Sequence, residues 1–376
     1  MKKYIAAHKM IRVLLIIACI LIAILLALVL FLKTWPAFGG RASETDMEDY
    51  EERADNYADG VFHNTEPFQI MAEETADDDN IMSHKGTEPK DSIPSGQPEL
   101  GSGGMSAQVQ VTWFGHSSLL LQIDGLNILI DPVFSERSSP VSFAGGRRFS
   151  RPSITAEELP DIDVIVLSHD HYDHMDYRTL KDMDSKVSRY VVPLGIENHL
   201  ERWGIAPGKI TNMAWWEEIQ VQGLTIGCTP ARHYSGRSID DRNAALWASW
   251  VFKTEYVQIF ESGDTGYGTH FQTIHEKYGD FDFVMLDCAQ YDKRWPDVHM
   301  FPDESIQAAT ELGAKAAMPI HWGAFTLAEH PWDDPAERFV NAGEERGLTV
   351  VTPMIGETVK LDNAENYDKR WWREVD

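Results

Sequence analysis

Four side chains of the kind that bind metal ions lie within six positions, directly after the apolar run 164–167. They are His169, His171, Asp173 and His174. Imidazole and carboxylate groups suit zinc, iron or manganese. Positions 169 and 171 project to the same side of an extended strand end, and a following turn into a helix would let positions 173 and 174 face a second metal. The spacing predicts a centre for two metal ions about 3.5 to 4 Å apart.

Two metal ions need more ligands than these four, and three further candidates follow predicted strands downstream. His233 ends the stretch 229–233, Asp264 lies in the stretch 260–266, and His321 lies in the stretch 318–323. Any one of them alone could be an ordinary turn or N-cap residue. Their common placement at strand ends makes them candidate ligands of the same centre.

The elements that must position these residues are those of a mixed α/β domain. Strand-like alternation begins at Val109, and the apolar runs 119–123 and 126–130 flank the turn Asp124-Gly125, which predicts a hairpin. Later apolar runs recur with helical stretches between them. We therefore predict one domain over residues 107–376, with enough strands for two sheets.

The N-terminal region, residues 1–40, is predicted to be a membrane anchor. Residues 13–32 are 20 consecutive apolar residues, and a helix of that length crosses a hydrocarbon layer about 30 Å thick. A cleaved signal peptide is the alternative, but its apolar core is usually shorter, about 7 to 15 residues, and ends at small residues. A lipoprotein box at residues 16–19 is also followed by too many apolar residues. The basic residues before the span place the N-terminus in the cytoplasm and the domain in the periplasm or outside the cell.

The chain is acidic, with a net charge of -26, and residues 44–100 carry 17 acidic against three basic residues. We therefore predict that residues 41–106 form an acidic, largely disordered linker, of which the short segment 60–64 could dock on the domain. A protein this acidic repels phosphate backbones, which excludes nucleic acid as a partner.

The three cysteines are too few for a disulfide scaffold. Cys228 and Cys288 fall in or beside predicted strands, as two buried thiols or, in an exported domain, as a bridge.

The metal-binding segments resemble those of the metallo-β-lactamase superfamily. Within it the chain is similar to the group of N-acyl-phosphatidylethanolamine-hydrolysing phospholipases D, through motifs spread over residues 109–360, such as 111–116, 131–135, 229–237, 246–250 and 320–325. The resemblance implies an αββα sandwich and two zinc ions, with iron or manganese not excluded. It also implies the ligands: His169, His171 and His233 for one metal, Asp173, His174 and His321 for the other, and Asp264 as the bridge.

Further roles are expected around these ligands. Asp131, at the end of an early strand, is a candidate to orient a ligand histidine. His299 matches a family histidine near the substrate phosphate, so that Asp173, Asp264 and His299 form the expected catalytic set. The candidate substrate contacts are Arg237, Trp216 and His116.

The function that follows is a membrane-anchored phosphodiesterase. Two divalent cations would supply a hydroxide near neutral pH, and we expect hydrolysis of N-acyl-phosphatidylethanolamine-like phospholipids to phosphatidic acid and an N-acylethanolamine. A transmembrane anchor suits a phospholipid substrate. The alternatives are a lactonase or esterase acting on a phosphorylated sugar or small ester, and a non-catalytic metal-containing binding domain.

Overall fold

The computed structural model describes residues 2–72, 86–100 and 109–376, and of residues 2–7 it describes the backbone alone. Within these ranges the helices are α1 (Lys2–Thr34), α2 (Glu44–Arg53), α3 (Tyr177–Met183), α4 (Ile196–Arg202), α5 (His270–Tyr278), α6 (Pro302–Glu311) and α7 (Asp334–Arg346). The strands are β1 (Tyr57–Ala58), β2 (Val61–Phe62), β3 (Gln110–Trp113), β4 (Leu119–Ile123), β5 (Leu126–Ile130), β6 (Arg137–Ser138), β7 (Gly146–Arg147), β8 (Ile162–Val166), β9 (Val187–Pro193), β10 (Ile210–Met213), β11 (Glu218–Val221), β12 (Leu224–Thr229), β13 (Ser249–Lys253), β14 (Gln258–Glu261), β15 (Phe283–Asp287), β16 (Ala316–Ile320), β17 (Thr349–Val350) and β18 (Thr358–Lys360).

Two seven-stranded sheets form the body of the domain. The first has the strand order β10-β9-β8-β5-β4-β3-β18, and the second has the order β11-β12-β13-β14-β15-β16-β17. In the first sheet, β5, β8, β9 and β10 run parallel. In the second, β14 to β17 run parallel. The carboxyl ends of several parallel strands therefore lie along one edge of each sheet.

The strands of the first sheet are apolar on both faces because both faces are covered. In β4, Leu119 and Leu121 belong to the core between the sheets, whereas Leu120 packs with Leu180 and Leu200 of α3 and α4. Successive side chains of a strand point to opposite faces, so that a run without alternation serves two layers. The core between the sheets continues into α5, α6 and α7. The order helix, sheet, sheet, helix confirms the predicted αββα sandwich.

Part of the acidic segment is folded, which corrects the expectation of a largely disordered linker. Helix α2 begins with a capping box, in which Ser43 and Asp46 each accept a hydrogen bond from the other's backbone. Tyr50, Tyr57 and Phe62 are buried against the domain, so the predicted docking of segment 60–64 is confirmed. A prediction from the acidic composition overlooks these three aromatic side chains, although they supply the apolar surface that is buried. Residues 73–85 and 101–106 of the predicted linker lie outside the described residues.

The docking of α2 depends on a buried hydrogen bond from the Tyr50 hydroxyl to the carboxylate of Glu197. Burial raises the pKa of Glu197 because it disfavours the charged carboxylate, and the hydrogen bond from Tyr50 offsets part of that effect. We expect Tyr50→Phe to lower the opening free energy of α2 by about 1 to 3 kcal/mol, because Glu197 loses a donor inside the protein. Hydrogen exchange of the α2 amides measures this change, with the exposed Tyr256→Phe as the matched control. Unchanged exchange in Tyr50→Phe would contradict the docking.

Helix α1 includes the predicted anchor and is longer than the apolar run. The stretch His8–Thr34 contains an 18-residue window with a mean hydropathy of 3.6, which is apolar enough to cross a membrane, and no part of that window is buried against the domain. A signal sequence has the same properties, and the helix is therefore described as a candidate membrane span only.

Cys228 and Cys288 are both buried free thiols, which excludes a disulfide bridge between them in this structure.

Candidate metal centre

The predicted ligands converge at the carboxyl ends of strands from both sheets. His169 follows β8, His233 follows β12, Asp264 follows β14 and His321 follows β16. Local sequence places each of them just beyond a buried strand, and the packing of the two sheets brings the strand ends together. The structure thus gathers all seven predicted ligands, which are His169, His171, Asp173, His174, His233, Asp264 and His321, into two adjoining groups.

The first group consists of His169, His171, His233 and Asp264. His171 Nδ1 lies 2.8 Å from His169 Nε2 and 3.2 Å from His233 Nε2. Asp264 Oδ2 lies 3.7 Å from the Nε2 atoms of both His169 and His233. Three imidazole nitrogens and one carboxylate oxygen therefore face one point, which is the donor set of a tetrahedral metal site.

The second group consists of Asp173, His174 and His321, joined by His116. The other oxygen of Asp264, Oδ1, contacts His321 Nδ1 and lies 3.0 Å from His174 Nε2. Asp264 is therefore shared, because its two oxygens face different groups. This is the position that a bridging carboxylate needs.

Two observations show that these residues fit a pair of metal ions. First, the Nε2 atoms of His174 and His321 are buried and form no hydrogen bond, although carboxylate oxygens of Asp264 and Asp173 lie 3.0 and 3.5 Å from them. A buried polar atom without a partner is costly unless another group satisfies it. Second, the outer nitrogens of the ligand histidines are held from outside: His169 Nδ1 by Ser168 Oγ at 2.9 Å, and His233 Nδ1 by the Val298 carbonyl at 3.1 Å. Such contacts orient metal-ligating imidazoles with the free nitrogen toward the metal.

The electrostatics agree with this assignment. Burial lowers the pKa of His169 and of His233 well below the ordinary value, and the neighbouring imidazoles add to the effect. Burial also opposes the charge of His174, but Asp264, Asp173 and Asp131 outweigh it and raise its pKa. Against burial, His174 and His321 hold the pKa of Asp264 far below its usual range. The first group therefore presents His169 and His233 as neutral imidazoles beside the ionised Asp264, which are the forms that bind metal, whereas the carboxylates around His174 favour positive charge at that position.

Asp131 lies where the sequence placed it, behind a ligand histidine. Its Oδ2 is 2.7 Å from His174 Nδ1, and its Oδ1 accepts a hydrogen bond of 2.8 Å from the Ser168 amide. Its backbone φ of 42° lies in the left-handed region, as do those of His116 and His321 at 55° and 70°. Strained residues of this kind cluster at functional sites.

We expect Asp131→Asn to weaken metal binding by about 10- to 100-fold, because His174 loses the carboxylate that orients it. Competition with a chromophoric chelator measures the affinity of each metal. Asp124→Asn is a matched control, since Asp124 is an exposed turn residue that also has a positive φ, 51°. Equal metal affinities in the two variants would show that Asp131 does not position His174.

Two residues of the site were missed or misplaced by the sequence. Asp287 ends β15 and is fully buried, and its Oδ2 lies 2.9 Å from His299 Nδ1. An acidic residue at the end of the apolar run 283–286 was the available signal. His116, expected at the substrate, is instead buried with its Nε2 2.9 Å from Asp173 Oδ2. It therefore holds a predicted ligand and does not face the cavity.

The structure does not bring Arg237 or Trp216 to the site, which corrects their expected role in substrate binding. The Arg237 guanidinium lies 4.2 Å from the Tyr172 ring centroid and donates to the carbonyls of Ala37, Asp170 and Met175. These three hydrogen bonds hold the chain around the histidine cluster. Trp216 lies two residues before β11, with the ammonium group of Lys277 5.3 Å from its ring centroid.

A cavity of about 400 Å³ opens onto the two groups. Its polar lining includes the predicted ligands His171, Asp173 and Asp264 together with His299. Much of the remaining wall is apolar or aromatic, formed by Ile70, Met71, Tyr172, Tyr234, Trp295, Val298 and Leu327. A concave apolar wall around a few polar groups is typical of a small-molecule or lipid site.

Known proteins are similar to this chain both in sequence and in fold. Residues 126–322 match the family described as Beta-lactamase superfamily domain. An uncharacterized protein of Mycobacterium tuberculosis is 37% identical over 344 residues, which is 88% of this chain and 91% of that protein. The N-acyl-phosphatidylethanolamine-hydrolyzing phospholipase D 1 of Caenorhabditis elegans is 33% identical over 264 residues, 65% of this chain and 74% of that protein.

Among solved structures, Igni18, a metallo hydrolase from the archaeon Ignicoccus hospitalis, superimposes with a TM-score of 0.53. The match covers 67% of this chain and 98% of that chain at 22% identity, and it therefore supports the fold alone. Together with the family match and the two groups of metal-type ligands, these relatives confirm the resemblance of the motifs: the chain is a metal-dependent hydrolase that belongs to the metallo-β-lactamase superfamily and is related to N-acyl-phosphatidylethanolamine-hydrolysing phospholipase D.

Proposed function

We propose that the protein is a phospholipase D-type phosphodiesterase that cleaves N-acyl-phosphatidylethanolamine-like lipids. The products are phosphatidic acid and an N-acylethanolamine. The observation that carries this proposal is the pair of ligand groups sharing Asp264 at the base of a largely apolar cavity. The relative from Caenorhabditis elegans, whose name states this reaction, supports the same substrate class.

We assign the metal ligands as follows: His169, His171 and His233 for the first ion, and Asp173, His174 and His321 for the second, with Asp264 shared. Zinc suits this donor set, and iron or manganese would also fit. Two divalent cations held by these residues would lower the pKa of a bound water toward about 7 and would neutralise phosphodiester oxygens, so that an acidic protein could bind an anionic lipid.

His299 is the residue we assign to proton transfer at the leaving group. Its Nδ1 is engaged by Asp287 at 2.9 Å, and the ring lies in the cavity wall beside Asp264. Burial opposes its charge, but Asp287 and Asp264 raise its pKa above the ordinary value. A protonated imidazole can donate to the alcohol oxygen as the bond from phosphorus to that oxygen breaks. Asp287 holds the ring in the orientation for this step.

The N-terminal helix supports a lipid substrate, since residues at its end contact the domain, one of them at the loop that follows the cavity-lining Ser138. Trp35 Nε1 donates a hydrogen bond of 2.7 Å to the Pro140 carbonyl, and Arg202 donates to the Lys33 carbonyl at 2.9 Å. Pro140 belongs to the loop that begins at Ser138, and Ser138 lines the cavity. In our proposal, residues 1–40 anchor the chain with its N-terminus in the cytoplasm. The hydrolase domain then lies on the periplasmic or extracellular side.

The test is a product assay on the purified, zinc-loaded full chain in nanodiscs that contain N-acyl-phosphatidylethanolamine, run in ¹⁸O-labelled water. We expect phosphatidic acid that carries the label and an unlabelled N-acylethanolamine, because water attacks phosphorus and the alcohol leaves. Mass spectrometry resolves both products. Diacylglycerol or a lysolipid as the product, or turnover of a sugar lactone with inert phospholipids, would overturn the proposal.

A further inference from the structure

The segment 61–72 runs from the N-terminal region to the mouth of the cavity, and we call it the strap. Its start is anchored by Phe62, whose side chain is buried and whose amide donates to the Asn243 carbonyl at 2.8 Å. Its end is anchored by Ala72, whose amide donates to the Arg294 carbonyl at 2.7 Å. The strap is therefore fixed at both ends on the hydrolase domain.

Between these ends the strap is bound to the loop that carries His233. The Asn64 side chain donates to the His233 carbonyl at 2.7 Å and accepts from the His233 amide at 3.1 Å. Arg232, the preceding residue, donates to the Pro67 carbonyl at 2.6 Å. Glu66 accepts hydrogen bonds from the amide and hydroxyl of Thr269, at 2.7 and 2.8 Å. These contacts hold the strap in a defined position against the metal centre.

The held position brings two apolar side chains, Ile70 and Met71, into the cavity wall. Met71 is 54% exposed, although it belongs to a fixed segment. Leu327, also exposed, lines the same cavity, as do Trp295 and Val298. Exposed apolar side chains that line an open cavity gain free energy when an apolar group enters it and removes their surface from water. Methionine adapts readily to the shape of such a group.

We propose that Ile70 and Met71 of the strap determine specificity by binding an apolar chain of the substrate beside the metal centre. The proposal rests on the proposed function for the identity of that chain, an acyl chain of the phospholipid. The strap thus belongs to the active site, although it lies outside the family match at residues 126–322.

The test uses n-alkylphosphonates from ethyl to octyl, which combine an anionic phosphorus head group with a tail of chosen length. Their binding to the zinc-loaded full chain in nanodiscs is measured by calorimetry, with titrations into protein-free nanodiscs subtracted. In the parent we expect the dissociation constant to fall by up to about fourfold for each added methylene. In the double variant Ile70→Ser, Met71→Ser we expect this dependence on length to be at most half as steep, with ethylphosphonate binding unchanged.

Ile239→Ser is the matched control, because Ile239 is 83% exposed and does not belong to the cavity wall. It should keep the parent's dependence on tail length. Hydrogen exchange of residues 229–237 should be unchanged in the double variant, which separates a lost wall from a misfolded strap. An equally steep dependence in the double variant, no dependence in the parent, or no phosphonate binding in the parent would overturn the proposal.

The labelled-water assay distinguishes this outcome from a failure of the proposed function. If no phosphatidic acid forms, but the double variant loses the dependence on tail length, the strap binds an apolar chain of a different substrate class. If phosphatidic acid forms and the dependence is unaffected, the reaction stands and the assignment to the strap is wrong.

Discussion

Replacement of Asp264 by asparagine is expected to reduce kcat/KM by about 10³-fold or more and to leave less than two equivalents of bound metal. Asp264 Oδ1 faces His321 and His174, and Oδ2 faces His169 and His233 at 3.7 Å. An amide keeps the shape but offers one neutral oxygen in place of two charged ones. Loss of a metal ion removes several kcal/mol of stabilisation of the charge in the transition state. Each tenfold loss of rate corresponds to about 1.36 kcal/mol of that stabilisation.

Metal content by inductively coupled plasma mass spectrometry and product formation by the labelled-water assay check this expectation together. Asp163→Asn is a matched control, because Asp163 lies in β8 at the end away from His169 and accepts a hydrogen bond from the Asn127 amide. The control should keep full metal content and activity. Two equivalents of metal in Asp264→Asn, with activity near the parent's, would refute a shared ligand.

Replacement of His299 by asparagine is expected to reduce kcat by about 10² to 10⁴-fold while both metal ions remain bound. The asparagine amide can still donate to Asp287, as His299 Nδ1 does at 2.9 Å. The variant therefore removes the ring nitrogen that would serve the leaving group and keeps the local hydrogen bond. Steady-state kinetics and metal analysis of the same preparation measure the two quantities.

A lipid with a better leaving group provides the decisive comparison for His299. We expect the defect of the variant to shrink with a p-nitrophenyl phosphodiester, because that leaving group needs no proton. His275→Asn is the matched control, since His275 forms a comparable pair with Asp280, at 2.8 Å, on the surface helix α5. A defect of the same size for both leaving groups would mean that His299 does not donate the proton.

The local motifs were predictable because they depend on neighbours in the chain. The apolar run 164–167 is typical of a buried strand. Donor side chains follow at its end, with the two-residue period of a strand at positions 169, 171 and 173: they are His169, His171, Asp173 and His174. Strand β8 ends at Val166, so the prediction of a cluster after a strand is confirmed. The apolar helix α1 was equally predictable from the sequence, since a long apolar run is recognised without knowledge of tertiary contacts.

The acidic segment was mispredicted because composition averages over residues that act differently. Seventeen acidic residues dominate the stretch 44–100, but Tyr50, Tyr57 and Phe62 decide its folding by burying against the domain. Arg237 was mispredicted for a related reason. A basic residue near a predicted anionic site suggests substrate binding, but its donors bind backbone carbonyls that only the folded chain brings near.

By itself, the sequence determined the residue types of the metal centre, their places at strand ends and the two-sheet architecture, because these follow from local period and spacing. The resemblance of the motifs also implied that Asp264 is the shared ligand. Only the tertiary structure decided that Asp287 holds His299 and that the strap forms a wall of the cavity. Those relations join segments as much as about 220 positions apart, such as Ala72 with Arg294. They depend on how the two sheets pack and on where buried side chains fix a segment, and neither is written in the pattern of neighbouring residues.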